Sequence, residues 1–176
     1  MQRRQSKLLS DYFYKQFSRI VLLSSFMLVL TACGFHLRGA YKLPEQMQRT
    51  YVQAENQNSE LIPYLKRALR SSGVQLAESP QQATAILHLS HESHNKRVIS
   101  VDSQGRAREY ELSYGVSFEL SSDTDFAVKP QRLQLQKDFL FDPENVLGKD
   151  REEQMLIRDM QSDIVLQIMR KLAVKN

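Results

Sequence analysis

The chain has 176 residues, of which 41% are hydrophobic and 25% charged, and this globular composition argues against intrinsic disorder. Its net charge is +4, but five of the 24 basic residues and one of the 20 acidic residues precede Cys33, leaving 19 of each sign afterwards. A neutral domain has no overall electrostatic attraction to nucleic acid. Any anion that it binds must therefore meet a local cluster of cations.

The N-terminal segment has the three-part order of a secretory signal. Basic residues come first, an apolar run follows over Ile20–Leu30, and the small residues Thr31 and Ala32 precede Cys33. The apolar run is shorter than the roughly 20 residues that a membrane-spanning helix needs. We therefore predict that residues 1–32 are a cleaved signal peptide and not a membrane span.

The residues around Cys33 predict lipidation. Leu30-Thr31-Ala32-Cys33 resembles the lipobox of bacterial lipoproteins, in which the thiol is acylated and the peptide is cut before it. A buried, inert cysteine is the alternative interpretation. We expect Cys33 to be the lipidation site, residues 33–42 to be an acylated tether and residues 43–176 to form one domain. Gly34 stands where an Asp would resemble an inner-membrane retention signal, which favours the outer membrane.

The domain is predicted to begin with a strand and a helix. Thr50–Ala54 contains residues that favour an extended chain, and polar turn-forming residues follow it. The apolar residues of Glu60–Ser72 recur on one helical face. Ser59 is a suitable N-cap for this helix, and Gly73 can adopt the left-handed conformation that ends it.

Three further strands are predicted in the middle of the chain. The first covers Ala85–Ser90, and its pattern leaves open whether it continues to Val101. A turn at Ser103–Gly105 leads to the clearest strand, Glu109–Leu120, where apolar and polar residues alternate with period two. Arg132–Phe141 repeats this alternation more weakly. Each strand is therefore predicted to have one buried face and one solvent-exposed face.

A final helix completes the predicted architecture. Asp150 is a candidate N-cap with Glu153 three residues on, and an apolar stripe follows at Ile157, Met160, Ile164, Ile168 and Leu172. The order β-α-β-β-β-α, with every element apolar on one side, predicts an α+β two-layer sandwich. We expect a four-stranded mixed sheet with two helices on one face.

Several short segments resemble the lipopolysaccharide (LPS)-assembly lipoprotein LptE family. They are Cys33-Gly-Phe-His-Leu-Arg38, the pair Glu109-Tyr110, and the stretch from Asp142-Pro143 through Lys149-Asp150 to Glu153-Gln154-Met155. The resemblance covers roughly residues 33–172. It implies a non-enzymatic, cofactor-free lipoprotein of the outer membrane. Such a protein binds LPS and plugs the β-barrel of its partner LptD, forming the LPS translocon.

The resemblance also implies ligand residues. The family uses a Lys just before the last helix for LPS, which corresponds to Lys149, where a phosphate would also meet free helix N–H groups. Ser103 stands where the family has a basic residue in the preceding turn. Arg106 and Arg108, with Lys96 and Arg97 on the strand before, are the candidates for a displaced cluster. All five cations have the alternative interpretation of solvated surface charges.

Other functions find less support in the sequence. His88, His91 and His94 could suggest a metal site, but a regular strand would point the middle one away from the others. Gly115–Glu119 lacks the final glycine of a nucleophile elbow, and the sequence has no glycine-rich phosphate loop.

The alternative function is that of a scaffold. In this interpretation, the chain is an outer-membrane lipoprotein that supports envelope or barrel assembly by binding protein and not glycolipid. A glycolipid site needs cations converging on one surface, whereas a scaffold needs only an uncharged patch.

Overall fold

The computed structural model describes residues 41–173. The predicted signal peptide, Cys33 and most of the tether lie outside this range and stay predictions. Five strands and two α-helices occur in the described residues, with 3₁₀ turns at Glu45–Met47 and Pro80–Gln82. They are β1 (Arg49–Ala54), α1 (Leu61–Ser71), β2 (Gln75–Leu76), β3 (Ala85–Val101), β4 (Ala107–Ser122), β5 (Val128–Leu140) and α2 (Val146–Ala173).

One mixed sheet is formed in the order β2-β1-β3-β4-β5. Strand β1 pairs in parallel with both β2 and β3, and the other neighbours are antiparallel. The prediction of four strands is wrong, because β2 adds a fifth at one edge. Its two residues pair with Arg49 and Thr50 and are too few to show an alternating pattern.

Both helices pack against one face of the sheet, which confirms the predicted two-layer α+β arrangement. Val52, Leu87 and Leu120 are neighbours across β1, β3 and β4, and all are at most 8% exposed. Their cluster includes Leu65 of α1 and Ile164 of α2, both fully buried. Burial of such side chains, about 1.5–3 kcal/mol each, holds the layers together.

Helix α1 covers Leu61–Ser71, one residue shorter at each end than predicted, and Glu60 and not Ser59 stands at its N-cap position. The Ser59 hydroxyl accepts a hydrogen bond from the amide of Leu61 at 3.1 Å, which satisfies a donor of the first turn. After the helix, Gly73 has φ +86°, and its amide donates to the carbonyl of Arg70 at 3.0 Å. A glycine adopts this left-handed conformation without steric cost.

Strand β3 continues to Val101 but is interrupted by a bulge. The register with β4 shifts between Ser90 and Ser93, and His91 there has φ 50°. Strand β1 pairs with β3 only as far as Leu89. Beyond that point the sheet consists of β3, β4 and β5 alone, extending over twelve residues of β3 or about 40 Å. We call this extension, with the start of α2, the distal end.

Helix α2 begins earlier than predicted, at Val146 and not after Asp150. Asn145 caps it, because its side-chain oxygen accepts a hydrogen bond from the amide of Gly148 at 3.2 Å. The prediction had placed the cap at Asp150, with Glu153 three residues on. Asp150 therefore lies inside the helix, and Lys149 does not precede it.

Candidate functional site

The five cations predicted to bind LPS lie at the distal end but do not converge on one surface. Lys96 is paired across strands with the buried Leu112 and so faces the helix layer, whereas Arg97 faces the opposite side with Glu111. Arg106 and Arg108 lie at the β3–β4 hairpin, and Lys149 lies on α2. Four of the five already contact a carboxylate of the chain.

Lys96 joins the distal sheet to α2. Its ammonium nitrogen lies 2.5 Å from Oε2 of Glu153 and 4.4 Å above the ring centroid of Tyr110. The Tyr110 ring stacks on Phe139 at 5.7 Å. Lys96 therefore has an ion pair and a cation–π contact, which explain its position without a ligand.

Arg97 forms a bidentate pair with Glu111 on the outer face of the sheet. Its Nε and Nη2 atoms donate to the two carboxylate oxygens at 2.7 and 3.1 Å. The hydrogen bond from Arg97 lowers the pKa of Glu111 from its usual value. This geometry occupies the fork of the guanidinium, so Arg97 is not placed to share an anion with Lys96.

The hairpin arginines differ from each other. Arg106 donates from its backbone amide and its Nε to the carboxylate of Asp102 at 3.0 and 2.8 Å, and these bonds lower the pKa of Asp102. Arg108 has no ion pair within residues 41–173. Both line an open pocket of about 410 Å³ whose wall includes Tyr110, Phe141 and Pro143.

Lys149 lies in the first turns of α2. Its ammonium is 2.8 Å from Oε2 of Glu152, and its side chain is 19% exposed. Its backbone amide donates to the carbonyl of Asn145 at 3.0 Å. The expectation that a phosphate would meet both the ammonium and a free N–H at Lys149 is therefore wrong for the amide, since α2 begins three residues earlier.

Exposed apolar side chains concentrate at the same end of the molecule. Six of the eight large exposed hydrophobic residues found in the described range lie there: Val98, Ile99, Val101, Leu140, Val146 and Leu147. Leu147 is 78% exposed. The sequence did not single out these residues, because Val146 and Leu147 precede the predicted start of the last helix at Asp150, and the pattern left open whether β3 reaches Val101.

The outer face of the sheet is polar, with a mostly uncharged middle between Glu119 and Arg132 on one side and Arg97, Glu111 and Asp138 on the other. Neighbouring positions across β3, β4 and β5 carry Ser90, Ser93, Asn95, Ser113, Ser117, Gln134 and Gln136. Arg132 crosses this face above Gly115, donating to the carbonyl of His91 at 3.2 Å and to the Ser93 hydroxyl at 2.9 Å. A side chain at position 115 would crowd Arg132, because a Cβ there would lie 3.1 Å from its Nη2.

No metal-binding group is found among residues 41–173. In a regular strand, His88 and His94 would lie on the same face of the sheet. This part of the prediction was wrong, because a bulge interrupts β3 between Ser90 and Ser93. His88 is paired with Glu119 of the outer face, whereas His94 is paired with Tyr114 of the core face. The bulge thus places His88 and His94 on opposite faces of the sheet.

Within the same residues, no helix has the length and apolar character required to cross a membrane.

Comparison with known proteins places the chain in a family. The family model described as LptE, lipopolysaccharide-assembly, matches residues 47–172. This chain belongs to the LptE family. An LPS-assembly lipoprotein LptE from Photorhabdus laumondii is 28% identical over 86% of this chain and 83% of its own. The LptE of Yersinia enterocolitica is 26% identical over 88% and 75%.

Solved structures agree with the LptE assignment. The solution structure of lipoprotein B from Nitrosomonas europaea has a TM-score of 0.65 and 31% identity, covering 80% of this chain and 90% of that one. The crystal structure of rare lipoprotein B from Shewanella oneidensis has a TM-score of 0.63 and 25% identity, covering 71% and 93%. The resemblance inferred from the sequence is confirmed, and the chain is a member of a family of LPS-assembly lipoproteins.

Proposed function

We propose that this chain is an outer-membrane lipoprotein, anchored through Cys33, that binds LPS at its distal end. As plug and assembly partner of an LptD-like β-barrel, it helps insert LPS into the outer leaflet. One observation carries the glycolipid assignment: arginines of the β3–β4 hairpin lie at the end of the molecule where exposed apolar side chains concentrate. An amphiphile with phosphates and acyl chains needs this combination.

The unequal pairing of the cations suggests how LPS would be bound. Arg108 is available without rearrangement, whereas Lys149 must exchange Glu152 for a phosphate. A surface ion pair contributes no more than about 1 kcal/mol. Breaking the pair of Lys149 and Glu152 therefore costs little free energy. A phosphate offers more negative charge and more acceptor oxygens than a carboxylate. Lys149 thus serves as a second contact after Arg108.

The outer face of the sheet supports the plug role. A plug inside a barrel with a polar lumen needs a surface rich in hydrogen-bonding groups and poor in exposed apolar groups. The serines, asparagine and glutamines that alternate with the core residues provide such a surface over three strands.

A protein-binding scaffold for envelope or barrel assembly is the second candidate. It is favoured by the internal neutralisation of four of the five predicted cations and by the position of Arg97 on the opposite face from Lys96. Such a scaffold would bind its partner protein through the polar outer face of the sheet alone.

Purification of the chain from outer membranes tests both candidates. We expect a large β-barrel to copurify, and we expect Lys149→Gln to bind purified LPS more weakly than the control Lys171→Gln, since Lys171 is exposed at the other end of α2. Barrel copurification with equal LPS binding by both variants would support the scaffold. Absence of both the barrel and LPS binding would contradict both candidates.

A further inference from the structure

The end of the domain opposite the hairpin carries cations that have no carboxylate partner among the residues that the structure describes. At this proximal end the described chain begins at Tyr41, β1 starts and α1 finishes. The amide of Gln75, just after α1, donates to the carbonyl of Gln48 at 2.8 Å, and the Thr84 hydroxyl donates to the carbonyl of Gln46 at 2.7 Å. These bonds bring the C-terminal half of α1 beside the first residues of the domain.

Five cations belong to these segments, and within residues 41–173 none of them has a carboxylate within ion-pair distance. We call them the proximal cations: Lys42, Arg49, Lys66, Arg67 and Arg70. Four acids lie at the same end: Glu45 and Glu78 in the adjoining segments, and Asp123 and Asp125 in the β4–β5 turn, which follows the pairing of Ser122 with Ala85. Lys129, at the start of β5, adds a sixth cation, so the basic residues remain in excess. The pairing of the proximal cations contrasts with that at the distal end, where Lys96, Arg97, Arg106 and Lys149 are paired with carboxylates. The proximal end therefore has a net positive field.

Three of these cations form one stripe on α1. Lys66 and Arg67 lie four and three residues before Arg70, which places both near it on one helical face. The three line an open cavity of about 530 Å³ that extends along α1 to Glu60, and Glu60 makes no ion pair with them. Arg67 also lies 5.9 Å from the ring centroid of Tyr64. Cations at the end of a helix complement its dipole, but this leaves the ammonium and guanidinium groups exposed to an external anion.

We propose that the proximal cations bind the anionic phospholipid headgroups of the membrane that holds the acylated Cys33, and so fix the orientation of the domain on that surface. The inference rests on the anchor in the proposed function. Tyr41 is eight positions after Cys33, so the connecting chain spans at most about 29 Å. The anchor therefore keeps the proximal end near a phosphate surface whose charge is opposite to its own.

Fluorescence quenching of the acylated full chain tests the orientation. The protein is reconstituted into vesicles of phosphatidylcholine alone or mixed with phosphatidylglycerol, both containing a headgroup-labelled quenching lipid. A fluorophore is placed at Ser71→Cys, at the end of α1, or at Ser103→Cys, in the distal hairpin. With phosphatidylglycerol we expect roughly twofold stronger quenching at position 71, reversed by sodium chloride, and no change at position 103.

Two double arginine variants test which residues contact the phospholipid headgroups. Arg67→Gln with Arg70→Gln should abolish the phosphatidylglycerol-dependent quenching, whereas Arg151→Gln with Arg158→Gln, on the exposed side of α2, should leave it unchanged. Circular dichroism verifies that both variants are folded. If inorganic phosphate removed the quenching when chloride at equal ionic strength did not, the cations would form a phosphate pocket, which overturns the membrane assignment.

Two negative results are distinguishable. Association with both kinds of vesicle, but equal quenching at position 71 in the two, would overturn this inference and leave the anchor intact. Failure to associate with either kind would overturn the anchor and, with it, the orientation that depends on it.

Discussion

At the scale of single residues, the pairing of each cation decides how available it is to a ligand. Arg108 lines the hairpin pocket without a carboxylate partner, whereas Arg106 is engaged by Asp102. We expect Arg108→Gln to weaken LPS binding about fivefold and Arg106→Gln to weaken it less than about twofold. Equilibrium binding to purified LPS measures both variants. A larger effect at Arg106 would show that the Asp102 pair opens on binding.

The cross-strand pair of Arg97 and Glu111 gives a pH-dependent prediction. The hydrogen bond from Arg97 lowers the pKa of Glu111 in the folded chain. The pair therefore stabilises the fold above the unfolded pKa of about 4.3, and this contribution is lost as the pH falls through the lowered folded pKa. We expect Arg97→Gln to raise the pKa of Glu111, as measured by carboxyl NMR titration. The control Arg106→Gln should leave that pKa unchanged.

At the scale of the elements, α2 is held to the sheet by one buried stripe. Ile164 is fully buried, whereas Leu166, two residues later, is 41% exposed. We expect Ile164→Ala to lower the free energy of unfolding by about 3 kcal/mol, because it leaves a cavity between the layers. Leu166→Ala should change it by about 0.5 kcal/mol or less. Urea denaturation of the two variants measures the difference, and equal losses would contradict the packing described.

The elements that could be predicted from the sequence are those with long periodic patterns. The alternation in β4 and the apolar stripe of α2 are strong because one face of each is buried over many residues, from Leu112 to Leu120 in β4 and from Met160 to Leu172 in α2. Strand β2 was missed, since two residues have no period, and the start of α2 was misplaced because its cap is Asn145 and not Asp150. A local bulge at His91 cannot be read from alternation, yet it decides which face each later side chain of β3 occupies.

The candidate site could be predicted only as a set of residues in the same region. Lys96, Arg97, Arg106, Arg108 and Lys149 all lie at the distal end, but the carboxylate partners of Lys96 and Arg97 come from other elements. Lys96 pairs with Glu153 of α2, 57 positions away, and no local pattern predicts such a contact. The exposed apolar residues were missed for a similar reason, because exposure at the end of a strand depends on where the covering helix stops.

At the scale of the whole molecule, the two ends of the domain have different chemistry. Within residues 41–173, the proximal cations have no carboxylate partner, whereas at the distal end every predicted cation except Arg108 has one and exposed apolar side chains lie nearby. The polar outer face of the sheet runs between them. In our proposal, the proximal end contacts the membrane, the distal end contacts LPS and the outer face contacts the barrel.

The central claim is that LPS binds at the distal end, and site-specific photo-crosslinking in cells tests it directly. A photoreactive residue replaces Leu147, which is 78% exposed at the start of α2, or Leu166, which is 41% exposed further along the same helix. We predict an LPS adduct at position 147 and none at position 166. Absence of the adduct at position 147 from a chain that still copurifies with its barrel would contradict the claim and favour the scaffold.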